Sequence, residues 1–212
     1  MAGSLNIKSI SRKVINSKKL EQEMHKRAEM KLQNAKNIMI NEFESHPVSV
    51  EIAGGSGASN SSRTLGGYGN LFTFIGFPAG ARPIAKIADL IRRQTYLLKR
   101  GPRGKASGRN VVKNYRINYM DEGEIADTEA ARMPWESGSW INAIEQGMSS
   151  FSYYMYKNFE GSRSRKGLQA KKGGKSGGSL QKINDGSFSP MKYVSQIIRN
   201  FRSNIYRKWK FN

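Results

Sequence analysis

Trp140-Ile141-Asn142-Ala143-Ile144-Glu145-Gln146-Gly147, followed later by Phe188-Ser189-Pro190-Met191 and a last amphipathic stretch, decides how this chain closes on itself. An aromatic residue, alternating apolar positions, a Glu and then a Gly read as a strand ending in a tight turn. From Ser189 onward, Met191, Val194, Ile197, Ile198, Phe201 and Ile205 recur at helical spacing. That segment reads as a helix docking back onto the strand. Glu145 reads either as a buried acid or as a strand-end group holding a backbone amide or a neighbour's Arg. No catalytic constellation surrounds this frame.

Outward toward the N-terminus, residues 17–46 give the strongest helical pattern. Ser17 suits the N-cap, and the interior holds no Gly or Pro. Leu20, Met24, Ala28, Leu32, Ala35, Met39 and Phe43 fall on one face. His46-Pro47 stops the helix, because the residue before Pro is pushed out of the α region. A rod of about 45 Å exceeds what a domain of this size needs for itself, which points to a neighbour along part of it. Residues 1–16 are a short arm or a strand that pairs elsewhere.

Between these two ends the pattern is mixed. Val48-Ser49-Val50-Glu51-Ile52 alternates like a strand, and the Gly- and Ser-rich run from Gly54 to Ser62 reads as a loop. Tyr68 to Phe77 reads as a buried strand rich in aromatic and β-branched residues. Pro83 suits a first helical turn, with Ile84, Ile87, Ala88 and Ile91 inward. Residues 99–109 form a basic hairpin-like loop, and Val111 to Met120 alternates again. Asp121, Glu122, Glu124, Asp127 and Glu129 make an acidic island that reads as a loop able to meet a basic surface on another subunit. Phe151, Tyr153, Tyr154, Tyr156 and Phe159 form an aromatic cluster. From Gly161 to Lys182 the chain is basic, Gly- and Ser-rich and free of acids, which is linker composition. The order predicts an α+β fold: a small antiparallel sheet, a long N-terminal helix and a C-terminal amphipathic helix, with extended basic loops and tail. The expected division is an arm at 1–16, one domain at 17–205 with flexible loops 99–109 and 161–182, and a basic-aromatic tail at 206–212.

Composition narrows the partners. The chain has 212 residues, enough for one domain with a substantial core, and a net charge of +20. Such an excess points to polyanionic or acidic partners, although cations also simply solvate loops. Cys is absent, which rules out disulfides and thiolate metal sites and fits a reducing cytoplasm. Lys8, Arg12 and Lys13 interrupt any signal-peptide core, and no window approaches the roughly 20 apolar residues of a membrane span. A soluble protein without membrane attachment is expected.

The chemistry-like motifs fail on inspection. Gly173-Gly174-Lys175-Ser176 invites a phosphate-loop reading, but Gln169 stands where the first Gly must be and no strand precedes it. The clusters at 54–57 and 66–69 lack the strand–turn–helix setting of a dinucleotide fingerprint. His25 and His46 are the only histidines, too few for a His metal set, and a Ser-His-Asp triad is not credible. The acidic island lacks calcium-loop spacing. What remains is a nucleic-acid signal without a sequence-reading motif: Lys99, Arg100, Arg103, Lys105 and Arg109 in one loop, and Arg163, Arg165, Lys166, Lys171, Lys172 and Lys175 in the other. These are the candidate DNA-facing or subunit-bridging cations. Tyr206, Trp209 and Phe211 in the tail, with Glu145, are the candidate assembly contacts.

This plan resembles the small α+β family of tailed-bacteriophage morphogenesis proteins that build the neck or complete the tail. The residues carrying the likeness are the helix at 17–46, Trp140 to Glu145-Gln146-Gly147, and the Pro190-led helix to Ile205. The Leu65 to Phe77 segment also looks like the strand entry of relatives from large marine phages. Met148 departs from the Thr found in many relatives, and the stretch 161–182 is longer than the family's minimal form. The resemblance implies a non-enzymatic virion protein without cofactor. It would form a homo-oligomeric ring at the head–tail joint between portal and tail proteins, assembled in the host cytoplasm, through which DNA passes. The alternative from another class is a nonspecific basic nucleic-acid-binding protein.

Overall fold

The first helix runs as expected and ends where Pro47 requires. α1, Lys18–Ser45, spans 28 residues, about 42 Å at 1.5 Å per residue. Ser17 holds the extended N-cap conformation, but its side chain makes no capping bond. His46 is likewise extended (φ −61°, ψ 137°), as a residue before Pro must be. Ala28, Leu32, Ala35, Met39, Ile40 and Phe43 are the buried face. The computed structural model describes residues 17–65, 69–98, 105–107, 110–134, 137–146 and 191–206. The arm at 1–16, the aromatic cluster at 151–159, the basic stretch 161–182, Phe188 to Pro190 and the tail beyond Tyr206 lie outside them.

The rest of the fold is α2 (Pro47–Ala53), α3 (Leu71–Ile75), α4 (Pro83–Gln94), β1 (Tyr96–Leu97), β2 (Lys105–Ser107), β3 (Asn110–Val112), β4 (Ile117–Asn118), α5 (Glu122–Ala126), α6 (Trp140–Gln146) and α7 (Val194–Tyr206). Short 3-10 turns occupy Gly55–Gly57 and Glu129–Ala131. The architecture is α+β and mostly helical. Its antiparallel component is two separate two-stranded ribbons, β1 with β4 and β2 with β3. In the first, Leu97 faces Ile117 and both pack against the core, while Tyr96 faces Asn118. Within the basic stretch 99–109, Lys105 to Ser107 pairs antiparallel with Asn110 to Val112; residues 99–104 and 108–109 lie outside the described ones. The expected strand from Val111 to Met120 is divided between β3 and β4, with Arg116 O extending the β1–β4 ribbon by accepting from Leu98 N at 2.9 Å. Between them, Lys113 and Tyr115 meet Glu21 and His25 of α1.

Three expected strands are helices. Over Val48 to Ile52 the alternation is short enough to match a helical face as well. The helix buries Val48, Ser49, Glu51 and Ile52 and turns Val50 outward, half exposed at 50%. Pro47 at the first position and a His46 ring nitrogen accepting from Val48 N set the start. Over Tyr68 to Phe77, caps outweigh β propensity. Asn70 Oδ1 accepts from Thr73 N at 3.0 Å, and Gly76 takes the left-handed conformation (φ 83°). Phe77 N then reaches back to Phe72 O at 3.1 Å, closing a Schellman-type end. Over Trp140 to Gln146 the buried set is Trp140, Ile141 and Ile144, the i, i+1, i+4 pattern of a helix rather than alternation.

The acidic island is also a helix, not a loop. Asp121 Oδ1 accepts from Glu124 N at 2.8 Å, and Glu124 returns the bond to Asp121 N at 2.9 Å. This capping box, with acids at the positive end of the helix, satisfies the free first-turn amides. Ile125 and Ala126 can then enter the core.

α1 lies between α4 and α7. Buried residues of α1 to α4 join Ile125, Trp140, Ile141, Ile144, Tyr193, Val194, Ile197, Ile198 and Phe201 in one hydrophobic cluster. Pro83, Ile84, Ile87, Ala88 and Ile91 form the buried face of α4, as their spacing predicts, and Val194, Ile197, Ile198 and Phe201 that of α7.

Candidate interaction site

The closing helix docks onto the Trp140 segment through one carboxylate. Glu145 Oε1 accepts from Tyr193 N at 3.2 Å and from Ser195 N at 2.7 Å. It caps the first turn of α7, whose leading amides have no partner within the helix. Met191 N donates to Ile144 O at 3.1 Å beside it. Of the two roles that Glu145 admits in the sequence, backbone-amide holder is the one the fold uses, from a helix rather than a strand.

Tyr193 is the pivot of this junction. It is fully buried, stacks on Phe43 at 5.6 Å, and meets the rings of His46 at 4.7 Å and Trp140 at 6.2 Å. Its hydroxyl pairs with Ser49 Oγ across 144 positions of sequence. Burial drives its ionisation well above the usual phenol range, opposed by the Ser49 bond and aided by the Glu145 charge. His46 is half-buried, and desolvation lowers its pKa. A hydrogen bond to the Lys192 backbone and the nearby Glu145 charge pull the other way. The ring is therefore neutral at neutral pH, with Nδ1 free to accept from Val48 N at 3.3 Å.

A second carboxylate does similar work. Glu51, 1% exposed, accepts from Ser62 N at 2.8 Å through Oε2 and from Leu71 N at 2.7 Å through Oε1. It thereby ties the end of the Gly- and Ser-rich run and the start of α3 to α2. Asn70 Nδ2 donates to Ser56 O and Ala58 O, while Arg63 takes a left-handed backbone (φ 58°) at the bend. Sequence reasoning missed Glu51, Ser49 and Tyr193. The available signal was an acid inside the apolar run Val48 to Ile52, which an α-helix buries and an alternating strand exposes.

At the other end of α1, residues 113–115 lie across its first turns. Lys113 Nζ pairs with Glu21 at 2.6 Å, and the Tyr115 and His25 rings are 6.0 Å apart. Near the C-terminus of α7, Arg202 Nε donates to Tyr119 at 3.1 Å, with Glu122 at 3.3 Å from its guanidinium. Tyr206, 71% exposed, ends the helix, and the neighbouring Tyr119 raises its pKa.

Lys105 lies in β2. Lys99, Arg100, Arg103, Arg109, Arg163, Arg165, Lys166, Lys171, Lys172 and Lys175 lie outside the described residues, as do Trp209 and Phe211. Half of the 36 Lys and Arg residues fall outside, against only three acids, Glu136, Glu160 and Asp185. Among the described residues no group of His, Asp or Glu is placed to hold a metal ion, and no helix is long and apolar enough to cross a membrane. No protein-family model, curated protein or solved structure matches this chain.

Proposed function

We propose that this chain is a non-enzymatic assembly protein of a tailed-phage neck or tail-completion ring, with its basic segments facing DNA or adjoining subunits. The observation that carries the reading is how the buried Glu51 and the partly buried Glu145 are used. Glu51 and Glu145 each hold two backbone amides of a distant segment, which is the work of a rigid scaffold. The positive excess, clustered in the runs 99–109 and 161–182, supports contact with phosphate or with acidic protein surfaces. The neck assignment itself rests on the sequence resemblance.

The concentration of cations also favours the second reading, a nonspecific nucleic-acid-binding protein. Light scattering and negative-stain microscopy of the full chain, at low and high salt and with portal and tail proteins added, separate the two. Closed rings, alone or on adding those proteins, are the expected result. A chain that never joins a particle, yet binds any nucleic acid with affinity falling steeply as salt rises, overturns it in favour of the second reading.

A further inference from the structure

The outward side of α1 changes character in its middle. Met30, Gln33, Asn34, Asn37, Ile38 and Asn41 are all exposed, Met30 at 59% and Ile38 at 46%. They follow one another at three- and one-residue steps, which makes a continuous stripe along one helix face. The stripe lies opposite the buried row of Ala28, Leu32, Ala35 and Met39. It carries no charge, on a chain whose net charge is +20. Interface centres are depleted in charge and enriched in Met. The middle of α1 therefore has the composition of an interface.

The spacing identifies the occupant. Met30 and Asn41, Gln33 and Ile38, and Asn34 and Asn37 are pairwise equidistant from a point between Ala35 and Lys36. Turning a second copy by 180° about an axis through that point brings each member of a pair to the height of the other along the helix. The same rotation sets Arg27 of each copy at the height of Glu44 of the other, so the flanking charges are opposite in sign. A parallel arrangement sets like against like. Arg27 already bonds Glu23 at 2.8 Å, and Glu44 pairs with Arg92, so the cross-pairs extend existing networks.

We propose that α1 packs antiparallel against α1 of a second copy of this chain, through the uncharged stripe 30–41 closed at each end by Arg27 and Glu44. The contact is isologous. Asn34 and Asn37 each offer both a donor and an acceptor across the axis. At the shallow crossing angle of about 20° typical of aligned helices, the pair stays in contact from Arg27 to Glu44, about 26 Å. A ring needs a heterologous contact made by other surfaces. The pairing therefore describes the isolated chain and does not rest on the neck reading.

The test uses the full chain, whose lack of Cys makes single thiols clean probes. Sedimentation velocity across a concentration series is expected to show a reversible dimer. Ile38→Lys should weaken it at least tenfold, with circular dichroism unchanged because the site is exposed. Met30→Lys serves as a second variant should Ile38→Lys fold poorly. In short-spacer thiol cross-linking, Asn34→Cys mixed with Asn37→Cys should form the mixed dimer faster than either forms its own. A monomer at all concentrations, a dimer indifferent to both Lys variants, or self-cross-linking as fast as mixed overturns the proposal. Rings that persist in Ile38→Lys leave the neck reading untouched.

Discussion

Glu145 shows how a single side chain determines whether two distant segments belong together. Its carboxylate accepts two amides at the start of α7, and charge-assisted bonds of this kind are the stronger ones. Glu145→Ala leaves those amides unpaired and is expected to cost about 1–3 kcal/mol in urea unfolding. Glu145→Gln keeps an acceptor oxygen, so its loss should be smaller. Tyr193→Phe strands Ser49 Oγ in the core, with an expected cost of roughly 1–3 kcal/mol. Its partner variant Ser49→Ala in the Tyr193→Phe background should recover part of that loss, since neither polar group is then left alone.

His46 carries a pH dependence whose sign follows from its environment. Burial depresses its pKa in the folded chain, so the unfolded chain binds the proton first. Stability is full above the unfolded value of about 6.5 and declines as pH falls from there toward the folded value, below which both states are protonated. Protonation also removes the Nδ1 acceptor for Val48 N. The check is urea unfolding between neutral and mildly acidic pH, where His46→Gln should flatten the decline. Tyr193 acts at the opposite end: its raised ionisation means the unfolded chain loses its proton first, so stability should fall above about pH 10.

At the scale of elements, short helices here owe their existence to their ends. α3 has five residues, far too few to persist alone. Asn70→Ala should cost about 1 kcal/mol through the lost cap, seen as a lower Tm with the fold retained. Gly76→Ala should add a penalty of similar size, because φ 83° disfavours any residue with a Cβ. Both signals stand in the sequence as Asn before and Gly after an apolar run. Phe and Ile within the run point to a strand instead, and at five residues propensity is the weaker guide. Asp121-Glu122-Gly123-Glu124 is legible in the same way as a capping box. Read as a charge island it suggests a loop; read by spacing it is a helix start.

For the whole molecule, the cations cluster in sequence, as in the runs 99–109 and 161–182. The described body gathers most of the acids, while half of the cations lie elsewhere. Nucleic-acid affinity, where present, should therefore track the basic segments. Replacing the seven cations between Gly161 and Lys182 by Gln should reduce the salt dependence of DNA binding, read from affinities across a salt series. The long helix, α4 and α7 could be read from sequence because each repeats its apolar pattern over three turns or more, and a period of 3.6 residues is unmistakable at that length. The segments at 48–52, 71–75 and 140–146 span one or two turns, where helical and alternating patterns coincide. There the outcome was settled by the surroundings: a Pro and a His side chain at one start, Asn and Gly at two ends, a core that accepted Trp140, Ile141 and Ile144 together. The pairing of Ser49 with Tyr193 and of Glu145 with α7 joins residues 144, 48 and 50 positions apart. Local pattern holds no record of such partners, because they come within reach only after the helices have packed.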